Sequence, residues 1–209
     1  MTLTLYTNPM SRGRIARWML EEAGVEYDTV MLDYASTMKQ QPFLSINPMG
    51  KVPAIVHDGH VVTEGAAICA YVADAFPAAG LAPTEDERAD YYRWLFFAAG
   101  PVEAAVTDKF LNVAPDEKQQ AMAGYGTYDR TVEVLERAVS AHSYIAGNRF
   151  TAADVYVGAQ VIWGMQFGTL PQRAAFSDYA GRLTTREAYK RAAALDDAAL
   201  PAAADQPAP

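Results

Sequence analysis

Leu3-Thr-Leu-Tyr-Thr7 alternates apolar and polar residues with period two and stops at Asn8-Pro9, a strand followed by a breaker. Residues 11–22 then place Ile15, Trp18 and Met19 at helical spacing, and Gly24 is a natural stop. Residues 25–32 read as another strand. A strand, a helix and a strand within about thirty residues predict a βαβ unit with parallel strands and a right-handed crossover.

Further along, Pro53-Ala-Ile-Val-His57 and His60-Val-Val-Thr63 flank Asp58-Gly59, a hairpin signal. Residues 64–75 predict a helix ending before Pro77. The order β-α-β, irregular link, β-β-α is that of a thioredoxin-like α/β domain, expected over residues 1–77. Residues 78–83, rich in Ala, Gly and Pro, read as a linker. Thr84-x-x-Glu87 fits a capping box opening a long helix to about Leu111, kinked near Gly100-Pro101. Residues 117–141, 151–167 and 176–195 continue the pattern, so an all-α domain is expected over 84–200. The tail 201–209 offers nothing to bury and is expected to be flexible.

The 209 residues suit one or two domains, and 51% hydrophobic with 20% charged residues suits a folded chain. A net charge of −8 repels polyanions, so nucleic acid is not an expected partner. The single cysteine, Cys69, forms neither an internal disulfide nor a zinc-binding cluster, and inside an apolar helix it reads as a buried small hydrophobe. The chain opens on a strand-like run rather than a basic and apolar leader, so the expected setting is a reducing cytoplasm. No uninterrupted apolar stretch approaches the length of a membrane span. His57 and His60 flank a hairpin turn without further ligands, and no metal is expected. Tyr91, Tyr92, Trp94, Phe96, Phe97, Trp163 and Phe167 read mainly as core at helical spacing, with some available to line an apolar pocket.

Four fragments in order resemble the bacterial cytosolic glutathione S-transferases: Tyr6-x-x-x-x-Ser11, Asn47-Pro-Met-Gly-Lys-Val-Pro53, Thr63-Glu-Gly-Ala-Ala-Ile68 and Gly147-Asn-Arg-Phe-Thr-Ala-Ala-Asp154. The resemblance runs almost end to end. It implies a thioredoxin-like domain followed by a helical one carrying an acceptor pocket, a homodimer, and glutathione as co-substrate of a small apolar electrophile.

In such an enzyme the thiolate is the nucleophile. A free thiol has a pKa near about 8.5, and lowering it by about two units is worth about 2.7 kcal/mol. The resemblance gives Ser11 the role of donating a hydrogen bond to the sulfur; a hydroxyl is too weak an acid to take the proton itself. Read alone, Ser11 is an ordinary helix cap, Tyr6 is a rival donor, and Arg12 and Arg14 are either thiolate stabilisers or a solvated helix start. The family has a cis-proline at Val52-Pro53, whose valine pairs its backbone with the cysteinyl unit. Glu64 would receive the α-amino group and Lys51 a terminal carboxylate; otherwise these are a helix-dipole partner and a loop cation. Gly65 departs from the family's usual serine and leaves only an N–H for the γ-glutamyl carboxylate. A glutathione-dependent peroxidase or reductase and a non-catalytic regulatory protein on the same scaffold are the alternative readings.

Overall fold

The computed structural model describes residues 2–200; the tail expected at 201–209 lies outside the described residues. The described residues divide into two compact units, 2–72 with 186–200, and Ala73–Thr185.

The first unit is built on a four-stranded sheet of order β2-β1-β3-β4, with β1 at Leu3–Thr7, β2 at Asp28–Met31, β3 at Ala54–His57 and β4 at His60–Thr63. Strands β1 and β2 are parallel, as the βαβ pattern predicts, while β3 is antiparallel to both β1 and β4. The β1 alternation has a physical cause: Leu3, Leu5 and Thr7 are buried on one face, while Thr4 and Tyr6 are half-buried on the other. Between β3 and β4, Asp58 and Gly59 both adopt positive φ, 47° and 84°, the geometry of a tight hairpin. Thr2 closes this end by donating its N–H to Asp58 Oδ1 at 2.7 Å.

Helix α1, Gly13–Ala23, buries Ile15, Trp18 and Met19 as their spacing requires and ends on left-handed Gly24. Helix α2, Phe43–Ile46, is a single turn, and helix α3, Gly65–Ala75, buries Ile68 and Cys69. Leu32, Met38, Phe43 and Ala54 form a core cluster, with Tyr6, Ile46 and Val52 packed against it.

In the second unit the long helix expected from residue 84 becomes α4, Arg88–Phe97, a π-helical turn at Ala98–Val102, and α5, Glu103–Phe110. Pro101, which lacks an N–H, sits inside that turn, so the α-helix is interrupted where the sequence predicts a kink. The segment 117–141 is likewise divided, into α6, Glu117–Met122, and α7, Tyr128–Ala141. Gly126 takes positive φ in the break, and the Thr127 side chain caps α7 by accepting the Arg130 N–H. Helix α8, Ala152–Gln166, and helix α9, Ala174–Thr184, complete the unit. Asp154 is fully buried and accepts from the N–H groups of Ile145 and Thr151 and from the Tyr179 hydroxyl. Thr151 and Asp154 thus form a capping box at the start of α8. Arg149 holds the expected linker, donating to the carbonyls of Gly80 and Ala82 and pairing with Glu87.

The expected aromatic core forms only in part: Tyr91 is buried, whereas Tyr92, Phe96 and Phe167 are exposed. The core stripe of α4 and its continuation is Tyr91, Leu95, Ala98 and Val102, at helical spacing. Tyr92, Phe96 and Phe167 lie off that stripe and are 40%, 67% and 68% exposed.

The last helix, α10 at Glu187–Ala198, departs from the expected run of helical domain to residue 200. It belongs to the first unit, where it packs on α1. Four ion pairs join the two helices or their ends: Arg14–Asp197, Arg17–Asp196, Arg186–Glu22 and Arg191–Glu21. Trp18 and Tyr189 add an edge-on ring contact at 5.0 Å between centroids. Among the described residues no helix is long and apolar enough to cross a membrane.

Candidate functional site

Strand register brings the sequence-flagged residues to one end of the sheet. Thr7 pairs with Met31, Tyr6 with Ala54, and Ala54 with Thr63. The C-terminal ends of β1, β2 and β4 and the N-terminal end of β3 therefore share one edge. From that edge leave the Ser11 turn, the segment carrying Tyr34, Val52-Pro53, and Glu64 with Gly65.

Asn8 builds the Ser11 turn. Its carbonyl accepts the Ser11 N–H at 3.1 Å and the Ser11 hydroxyl at 2.7 Å. Its own amide donates to the Leu32 carbonyl at 2.8 Å, tying the exits of β1 and β2, and its Oδ1 accepts the Met10 N–H at 2.9 Å. The Ser11 oxygen also accepts the Gly13 N–H at 2.9 Å, so this side chain does serve the helix start. A Cβ on Gly13 would stand 1.9 Å from Thr7 Oγ1, which is why the helix begins with glycine against β1. Tyr34 donates its hydroxyl to the Met10 carbonyl at 3.2 Å, and its oxygen is an alternative acceptor for the Ser11 hydroxyl. Burial pushes its phenol pKa up, opposed by Ser11 and by the Arg12 charge.

The rival donors are placed differently. Tyr6 packs on the apolar cluster with its ring 5.7 Å from that of Phe43. Arg14 Nε donates to the Pro9 carbonyl at 2.5 Å, and its Nη2 meets Asp197 at 2.7 Å. Arg12 is exposed at the N-cap position of α1.

Val52-Pro53 is a cis peptide, as the resemblance implies; Gln41-Pro42 is a second, which sequence reading did not flag. Val52 is half-buried, and among the described residues it takes part in no backbone–backbone hydrogen bond. Lys51 is exposed, and its carbonyl accepts from the Asn47 side chain at 2.8 Å. Lys39, also missed in the sequence, reaches the same loop and donates to the Gly50 carbonyl at 2.5 Å.

Glu64 is exposed and holds a left-handed backbone at φ 66°, while its carbonyl accepts the Ile68 N–H at 2.9 Å. A glutamate in this region is uncommon and costs about 1–3 kcal/mol, a cost that tends to be stored at binding sites. Gly65 is not among the positive-φ residues and begins α3 in a conformation open to other side chains.

Cys69 is buried, and desolvation pushes its thiol pKa up, away from nucleophilic use. His57 Nδ1 lies 2.9 Å from the Tyr71 hydroxyl. Among the described residues no group of three or more His, Cys, Asp and Glu is placed to hold a metal ion.

The family model for the glutathione S-transferase N-terminal domain matches residues 1–74. A glutathione S-transferase of Xanthomonas campestris is 29% identical over 173 residues, covering 79% of this chain and 84% of that protein. Glutathione S-transferase 3 of Zea mays is 30% identical over 169 residues, 73% of each chain. Among solved structures, a sphingomonad glutathione S-transferase complexed with glutathione is 30% identical, with TM-score 0.75, covering 93% of this chain and 98% of that one. On this sequence and structural likeness, the chain belongs to the glutathione S-transferase family.

Proposed function

We propose that this protein binds glutathione at the sheet edge described above and stabilises its thiolate for attack on a small apolar electrophile. Ser11 donates its hydroxyl hydrogen to the sulfur, aided by the N-terminal end of α1, whose dipole is worth about 0.3–1 kcal/mol. The backbone of Val52, before Pro53, pairs with the cysteinyl unit. Glu64 takes the α-amino group, the Gly65 N–H takes the γ-glutamyl carboxylate, and Lys51 takes the terminal carboxylate. The sulfur lone pair forms the S–C bond. With an aryl halide, the halide then departs with the electron pair of the broken bond; with an activated double bond, the resulting carbanion takes a proton from water.

The observation that carries this reading is the left-handed backbone of Glu64. It places a carboxylate, against local preference, at the start of α3 and on the same edge as Ser11 and Val52. The glutathione bound in related structures supports the same assignment. A detoxifying role, a homodimer and a cytoplasmic setting follow from the resemblance and from the lone buried cysteine. Calorimetric titration with glutathione tests the reading: saturable heat is expected, reduced in Glu64→Gln, and no heat with a folded protein would favour a regulatory scaffold.

A further inference from the structure

The turn carrying Ser11 is closed by the Asn8 carbonyl and the Ser11 N–H, so its central peptide joins Pro9 to Met10. Turn types that share the same end residues differ mainly in the orientation of this central peptide. Here both of its polar ends are held. Asn8 Oδ1 accepts the Met10 N–H at 2.9 Å, and Arg14 Nε donates to the Pro9 carbonyl at 2.5 Å. The same guanidinium continues from Nη2 to Asp197 Oδ1 on α10 at 2.7 Å.

We propose that Arg14 is a positioning residue for the thiolate site, held in place by Asp197, a role that rests on the assignment of Ser11 to the sulfur. Arg14 acts through the peptide plane and not on the sulfur: its guanidinium fixes the Pro9 carbonyl and with it the direction in which the turn presents Ser11. Two different guanidinium nitrogens make the two contacts, which a lysine with its single nitrogen reproduces poorly. Arg186 and Arg191 also join α10 to α1, but they meet Glu22 and Glu21 at the opposite end of α1. They provide a control for helix docking alone.

The test follows the ultraviolet absorbance of glutathione thiolate, bound to the protein, against pH. Wild type, Arg14→Ala, Arg14→Lys, Asp197→Asn and Arg191→Ala are compared, with thermal unfolding measured alongside. Arg14→Ala and Asp197→Asn are both expected to move the titration upward by about half a pH unit, the scale of one modest hydrogen bond, with Arg14→Lys in between. Arg191→Ala is expected to lower thermal stability and leave the titration in place. Asp197→Asn conserves shape at an exposed position, so it reports even if Arg14→Ala folds poorly. A downward shift in Asp197→Asn would overturn the proposal, because Arg14 would then act as a bare charge released from its counter-ion. Unmoved titrations in Arg14→Ala and Asp197→Asn would also overturn it, leaving Arg14 a docking residue. A folded wild type with no bound thiolate would instead overturn the assignment of Ser11, and this inference with it.

Discussion

The Ser11 hydroxyl donates to the Asn8 carbonyl at 2.7 Å, so the hydrogen assigned to the glutathione sulfur rests on the turn's own backbone when no ligand competes for it. The Gly13 N–H bond to the Ser11 oxygen keeps that oxygen in place while the hydroxyl hydrogen rotates toward a ligand. A thiolate is a stronger acceptor than a neutral carbonyl, and this difference favours the exchange.

Removing the hydroxyl should therefore cost chemistry more than binding. Ser11→Ala is expected to lower turnover by about tenfold or more, with glutathione affinity within a few fold, because the sulfur is the one part of glutathione assigned to the hydroxyl. Steady-state kinetics with an aryl halide check this. A rise in KM with unchanged kcat would mean that Ser11 serves binding instead.

Glu64 combines backbone cost with ligand contact. Glu64→Gly is expected to raise stability by about 1 kcal/mol by relieving the positive φ, and to weaken glutathione about tenfold by removing a charge-assisted hydrogen bond. Denaturant unfolding and calorimetry on the same variant check the two signs. A stabilised variant with unchanged affinity would leave the strained backbone without a binding role.

Gly65 is the position where the chain leaves its family's usual residue. Its φ lies outside the left-handed region, so a serine fits the backbone. Gly65→Ser is expected to add one partly exposed hydrogen bond to the γ-glutamyl carboxylate, worth about 1 kcal/mol or roughly fivefold in Kd. Unchanged or weaker binding in a folded variant would indicate that the space itself is used.

Arg17 and Asp196 test the docking of α10. Their contact at 2.8 Å is nearly fully buried, and Asp196 Oδ2 has no hydrogen-bond partner among the described residues. Burial outweighs the Arg17 charge and raises the Asp196 carboxyl pKa. Asp196→Ala is expected to cost about 3–5 kcal/mol by leaving Arg17 buried and uncompensated, whereas Arg17→Met with Asp196→Leu should recover most of it. Denaturant unfolding measures both; an equal loss in the double variant would mean that packing, not charge, holds the helix.

Local pattern made the first unit's sheet legible, and range limited the rest. β1 and the hairpin were readable because period two and Asp58-Gly59 are signals within a few residues. The break at Gly126 was missed because helical spacing resumes after it, and the break near Arg186 because its flanks are both helical. Nothing near Arg17 announces a partner at Asp196, since a contact across so much chain leaves no periodic trace. At the site, motif order pointed to Ser11, Val52 and Glu64, whereas the parts played by Asn8, Arg14, Lys39 and Tyr34 emerge only when the loops meet.

The assignment of Ser11 to the sulfur is tested by the pH titration of the thiol of glutathione bound to wild type and to Ser11→Ala. The bound thiol is predicted to ionise about two pH units below its free value near about 8.5 in wild type, and to move back toward that value in Ser11→Ala. Identical titration curves for the two proteins, each saturated with glutathione, would contradict the assignment of Ser11 as the hydrogen-bond donor to the sulfur.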